Sequence, residues 1–197
     1  MTQTTTETTT TQIDQLRHVT AAVTALVEHA TPDQLLQDSP CVGWSGRDVL
    51  NHMVGSADLF TGPARGEEVP FPDWSAMPDW LGADPADSYR AAADRAIAAY
   101  GAPGVLDANV TMPWGEMPAA ISLNLLIADH VTHAWDLERT TGVPMNIDDA
   151  VIEDALAISI AGVTQDFRDA GFYGPELTAP GDASPVERLA AFTGRRI

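Results

Sequence analysis

Ile13, Leu16, Val19, Val23, Leu26 and Ala30 recur at three- and four-residue steps, the spacing that lines one face of an α-helix. The pattern predicts an amphipathic first helix that ends near "ATPDQ". Pro40 and Gly43 break the stretch "LLQDSPCVGW", which reads as a connection. Ser45 and Asp48 then form a capping box, with the carboxylate at the third helical position, so a second helix is predicted over 46–60. Residues 61–83, "TGPARGEEVPFPDWSAMPDWLGA", hold no period and read as one long loop. "DPADSYRAAADRAIAAYG" is alanine-rich with a stop at Gly101, a third helix. "VLDANVTMPWGEMP" predicts a short extended segment or a tight loop. From Ala119 to about Thr141 apolar positions continue for six turns, until Gly142 and Pro144 end a fourth helix. Asn146 is the expected cap of a fifth, with Asp148 and Asp149 in its first turn and an apolar face of Val151, Ile152, Ala155, Leu156, Ser159 and Val163. A short helix near "SPVERLAAFTG" closes the set. No alternating pattern suggests a sheet, and the expected fold is all-α: an up-down four-helix bundle with a short additional C-terminal helix and a long loop between helices two and three.

Composition narrows the partners. At 197 residues the chain suits one domain with a full core. The start "MTQTTTETTTTQ" has no apolar face, so residues 1–11 are expected to be a flexible tail and 12–197 a single helical domain. That start also lacks the basic and apolar regions of a secretory signal. A net charge of −18 with ten Lys and Arg disfavours nucleic acid and anionic membrane surfaces. No apolar run reaches the length needed to span a bilayer. Cys41 is the one cysteine, so an internal disulfide and a multi-cysteine zinc site are excluded, and the reducing cytoplasm is the simplest setting. A homodimer is left open, since nothing reads as a long exposed apolar stripe.

The chemistry concentrates in "ADHVTHAWDLERTTG", residues 128–142. Residues four apart on a helix sit nearly above one another, offset by roughly 40°, so Asp129 and His133 share a face. His130 and His133, three apart, are neighbours too, and spacing alone leaves the second ligand ambiguous. A third ligand has to come from another helix, and His52 is the candidate. Two histidines and one carboxylate leave open positions on a catalytic metal; the plainer reading is an ordinary polar edge. Trp44 and Trp135 read as core or pocket wall, Cys41 as a small buried residue, and His18 and His29 as surface. Glu116, beside Trp114, is either a pocket base or a solvated loop acid. Asp73, Trp74, Asp79 and Trp80 lie in the long loop, whose length suits a lid or pocket rim.

Two segments also carry a resemblance. "PCVGWSGRDVLNHMVG" (40–55) is similar to the Pro-Cys-x-x-Trp-x-x-x-x-hydrophobic-x-x-His segment of the mycothiol-dependent maleylpyruvate isomerase N-terminal domain, in the DinB/YfiT-like superfamily. "VTMPWGEMPAAISLNLLIADHVTHAWDLERTTG" (110–142) resembles the second signature of its single-domain members, and "PVERLAAFTGRR" resembles how they end. The resemblance implies His52, Asp129 and His133 as metal ligands, with His130 outside the set. It also implies that Trp135 and Asp136 belong to the motif; Asp136, three residues after His133, would orient its other ring nitrogen. Asp129 is one methylene shorter than the glutamate of the founding isomerase, so an ion would sit nearer that helix or be held more loosely. Zinc is the expected ion, and Ni, Fe and Mn accept the same mixed donors. Relatives use the metal to activate a low-molecular-weight thiol, mycothiol or bacillithiol, which implies mycothiol as cosubstrate and a small electrophile as substrate. The founding isomerase has a further C-terminal domain that the residues up to Ile197 do not supply. The expected activity is therefore thiol S-transfer or a related isomerisation on another small molecule; the alternative is a metal- or ligand-binding bundle without turnover.

Overall fold

The computed structural model describes side chains over residues 12–197, and the side chains of the tail expected over residues 1–11 lie outside the described residues. Leu16, Val19, Val23 and Leu26 form the buried face of α1 (Thr2–His29), as their spacing predicts. A single turn, α2 (Pro32–Leu35), follows behind a Thr31–Gln34 capping box; four residues are too few to show a period. The Ser45–Asp48 box opens α3 (Gly46–Ala64): the Asp48 N–H donates to Ser45 Oγ at 3.2 Å and the Ser45 N–H to Asp48 Oδ2 at 2.9 Å. This helix runs four residues beyond its predicted end, through Pro63. Phe60, Thr61, Gly62 and Pro63 are all buried, so packing carries the last turn past a residue that lacks only one N–H there.

Asp84 caps α4 (Pro85–Tyr100), and β1 (Asn109–Met112) pairs antiparallel with β2 (Gly115–Pro118). That hairpin is the extended segment left open by the sequence, and it is the one sheet among the described residues. Next comes α5 (Ala119–Thr141), which Gly142 ends in the left-handed conformation at φ 74°. The fifth predicted helix, α6 (Asp149–Gly162), starts later than Asn146 would place it. Asn146 stands at φ 47° and donates from Nδ2 to the Pro144 carbonyl, so it makes a turn and Asp148 becomes the N-cap. Val163, expected on that helix's face, lies just past its end. A further short helix, α7 (Gln165–Asp169), precedes α8 (Pro185–Phe192), which begins on a Ser184–Glu187 capping box.

The fold is all-α. α3 packs on α4 and α5, and α1 packs on the same two, giving a four-helix core. α6 and α8 pack on each other and on the outer side of α5. No described helix is long and apolar enough to cross a membrane. The loop 65–84 is tied back to α3. Asn51 Nδ2 donates to the Pro78 carbonyl and Asn51 Oδ1 accepts the Trp80 N–H, both at 2.8 Å. The Trp80 ring seats on Gly55, where a Cβ would meet it at 2.6 Å.

Gly55→Ala sets two effects against each other. Alanine favours the helix by about 1 kcal/mol, whereas forcing a methyl into a filled contact costs about 1–3 kcal/mol. The clash is expected to win, lowering the urea midpoint and shifting tryptophan fluorescence; a raised midpoint would show that Trp80 is not seated there.

Candidate metal centre

His52 sits mid-way along α3 and faces Asp129 and His133 on α5. His52 Nε2 lies 3.3 Å from Asp129 Oδ1, and His133 Nε2 lies 3.6 Å from the same oxygen. One ligand atom from each of the three residues falls within 4.8 Å of the others. The histidines are buried and the Asp129 side chain keeps 21% exposure, so the cluster opens to one side at the carboxylate. Ser56, one turn after His52, donates from Oγ to Asp129 Oδ2 at 2.9 Å. With Oδ2 held by Ser56, Oδ1 is left to face the two imidazoles.

Behind His133 stands Asp136, three residues on and fully buried. Asp136 Oδ2 lies 2.9 Å from His133 Nδ1 and also accepts from Arg195 Nη2 at 2.9 Å, while Oδ1 accepts from Arg195 Nε at 3.3 Å. Burial by itself would raise this carboxyl's pKa, but Arg195 and then His133 outweigh it and hold it below the usual carboxylate range. An ionised carboxylate only accepts, so His133 Nδ1 carries a hydrogen and Nε2 is the ring nitrogen turned toward Asp129. Asp129 is likewise held ionised: burial opposes this, but the His52 and His133 imidazoles outweigh it. His133 Nε2 thus stands 3.6 Å from a carboxylate oxygen, beyond hydrogen-bond distance and within the span at which both atoms could hold one ion. His52 adds a second nitrogen, and burial lowers its pKa so that its neutral, ligating form is favoured. Two imidazole nitrogens and one carboxylate oxygen are a fitting donor set for a divalent ion.

The other candidates separate by position. His130 points into the core, with Nδ1 2.9 Å from the Tyr89 hydroxyl of α4, and burial drives its pKa down to about 4. Trp44 walls the cluster, its ring 5.0 Å from His52 and 6.2 Å from His133. Trp135 is buried in the core and carries Arg139 over its ring. Trp114 stands at the hairpin tip against Phe60. Glu116 is exposed, its Oε1 accepting from Asn109 across the hairpin at 2.6 Å, and does not join the cluster. His29 is exposed, and His18 is half-buried and accepts the Asp148 N–H.

Three participants escaped the reading of the sequence. Ser56 carried a usable signal, since it stands four residues after His52 on the same helix. Trp74, expected only within a loop suited to a lid or pocket rim, sets its ring edge-on to His52 with centroids 4.4 Å apart. Arg195 is 59 residues from Asp136, and only the path of the chain beyond α8 brings it in. That path needs glycine: Gly194 stands at φ 94°, and a Cβ there would lie 2.5 Å from the Gly174 Cα.

Residues 16–138 match the sequence pattern of the mycothiol maleylpyruvate isomerase N-terminal domain, a span that holds His52, Asp129, His133 and Asp136 but not Arg195. Uncharacterized proteins of Mycobacterium tuberculosis strains H37Rv and CDC 1551 are each 33% identical over 177 residues, 89% of this chain and 93% of theirs. The crystal structure of the mycothiol-dependent maleylpyruvate isomerase superposes with a TM-score of 0.61 at 18% identity, covering 83% of this chain and 72% of that one. A histidine-to-alanine mutant of that isomerase gives a TM-score of 0.60 at 14% identity, covering 74% and 67%. At such identities the structural likeness speaks to the fold, while the match over 16–138 speaks to descent. The chain belongs to the mycothiol maleylpyruvate isomerase N-terminal domain family.

Proposed function

We propose that the chain is an enzyme that holds one divalent metal ion through His52, Asp129 and His133. The ion serves to activate an external low-molecular-weight thiol, of the mycothiol kind, for S-transfer to a small electrophile or its isomerisation. The observation that carries this reading is the convergence of His52 Nε2 and His133 Nε2 on the same Asp129 oxygen, with one ligand atom from each residue within 4.8 Å of the others. Family membership and the mycothiol dependence of the solved neighbour support the choice of thiol. Zinc suits the donor set, as do nickel, iron and manganese.

When bound, the ion supplies Lewis acidity that brings a neighbouring thiol's pKa toward neutrality. The chain does the rest. Arg195 and Asp136 fix the His133 ring and its tautomer, and Ser56 holds one Asp129 oxygen so that the other faces inward. Trp44 and Trp74 cover His52 on two sides and keep water from its ring. Cys41 is no substitute for the external thiol. Burial raises its pKa to about 11, even with Arg195 pulling the other way, so it stays protonated at neutral pH.

Protein purified without a histidine tag is expected to carry about one equivalent of divalent metal, and His52→Ala or His133→Ala less than roughly a tenth, by elemental analysis. Mycothiol consumption with an electrophile falls to background in the same variants. Wild-type metal content in both would remove the triad from consideration. Asp136→Asn keeps the side chain's size but loses the charge behind His133, and the metal dissociation constant should rise by about 10–100-fold; an unchanged constant would restrict Asp136 to a structural part.

Cys41→Ser should consume mycothiol like wild type. In the wild type, iodoacetamide at pH 8 should label Cys41 about 100-fold more slowly than an ordinary cysteine, following the rise from 9.0 to about 11. Labelling at the ordinary rate, followed by mass spectrometry, would return Cys41 to the list of nucleophiles.

A further inference from the structure

Beside the histidine cluster, three segments far apart in sequence bring aromatic rings together. Trp74, in the loop 65–84, is the ring against His52. Phe71 of the same loop stands 6.3 Å from Trp74, 6.0 Å from Trp114 at the hairpin tip and 5.2 Å from Phe172, just past α7. Outward from His52 the rings pass from half-buried to exposed: Phe71 keeps 41% of its surface, Trp114 38% and Phe172 45%. Single exposed apolar residues are ordinary, but a contiguous set joined to a polar cluster marks a binding surface.

The charges around this wall select its ligand. The 65–84 loop carries Glu67, Glu68, Asp73 and Asp79 against Arg65 alone until its end at Asp84, and the hairpin carries Glu116 with no cation. Segment 163–177 sets Asp166, Asp169 and Glu176 against Arg168. Both arginines are engaged: Arg65 pairs with Glu67 at 3.0 Å, and Arg168 donates to the Gly174 and Phe192 carbonyls. Arg195, behind the cluster, is paired with Asp136. A carboxylate substrate would meet acidic segments whose own arginines, Arg65 and Arg168, are already engaged, whereas a flat uncharged ring would find stacking and edge contacts.

We infer that this wall binds the acceptor of the thiol, and that the acceptor is an uncharged aromatic molecule with an activated double bond. The inference rests on the thiol-transfer reading for its chemistry, though not for its binding. In the conjugate addition, the thiol sulfur bonds to the β-carbon as the C=C π-bond opens, and the thiol's proton ends on the α-carbon. The adduct therefore holds every atom of both reactants.

Benzalacetone and its 4-carboxy analogue share one electrophile and differ by a charge, so they form the test pair. Their binding is measured by calorimetry without thiol, on wild type, on Phe71→Ser/Trp114→Ser and on Phe172→Ser, the last as a second variant on another segment. Benzalacetone should bind wild type at least tenfold more tightly than the carboxylate does. It should bind the double variant at least tenfold more weakly, with metal content and melting temperature kept; Phe172→Ser should weaken it in the same direction. Equal binding of the two compounds, or unchanged binding in both variants, overturns the inference. So does a wild-type dimer that the double variant converts to a monomer, which would make the wall an interface between copies. Ring binding that persists while metal or mycothiol consumption is absent supports the wall and overturns the thiol reading, so the two failures are distinguishable.

Discussion

The Asp136 carboxylate has no exposure and carries a full charge, and much of the site hangs on how that charge is met. An isolated buried carboxylate would protonate or unfold its surroundings. Here Arg195 reaches both oxygens and His133 engages one. Satisfying Asp136 thereby does three further things. It fixes the His133 tautomer, it anchors the segment beyond α8, and it ties that segment to the middle of α5. The close approach of Gly174 and Gly194 is the backbone side of the same constraint, because a side chain at either glycine would hold the arginine's segment away.

α5 can serve this role because it is covered on nearly every side. α1 and α3 pack on one flank and α6 and α8 on another, so a polar stripe on it lies inside the molecule. Asp129, His133 and Asp136 stand four and three residues apart on that stripe, one turn apiece. α3 answers with His52 and Ser56, again one turn apart, and both reach Asp129. Asn51, adjacent to His52, is turned about 100° around the helix and ties down the loop that carries Trp74. Neighbouring residues on α3 thus place the histidine cluster and the aromatic rings beside it.

Elements with a period or a cap were legible in the sequence. The Ser45–Asp48 box and the Leu16–Val19–Val23 stripe state their roles within a few residues, and Gly142 marks the end of α5 by the one conformation it supplies cheaply. α2 and α7 are too short to show a period. Asn146 misled because asparagine serves equally as a cap and as a left-handed turn residue, and only the path from Gly142 to α6 decides between them. In the site, spacing placed Asp129 and His133 on one face but left His130 as a rival, which the Tyr89 hydroxyl separates by drawing its ring toward α4. Arg195 was illegible for a plainer reason. Its partner is set by long-range chain closure, and nothing local in "FTGRRI" points to Asp136.

The cost of this arrangement to the fold argues for its use. Replacing a buried ion pair with packed apolar residues is commonly neutral or stabilising by about 1–4 kcal/mol. A bundle of this kind could fill the seam between α3 and α5 with leucine, as it does elsewhere with Leu50, Leu123 and Leu126. Instead it sets two imidazoles there against the partly exposed Asp129, buries a carboxylate and a guanidinium behind them, and leaves Phe71, Trp114 and Phe172 in contact with water nearby. Each choice alone admits a structural excuse. Polar burial and apolar exposure side by side, joined through the His52–Trp74 contact, work against stability on both counts, and a ligand that uses metal and rings together would relieve both.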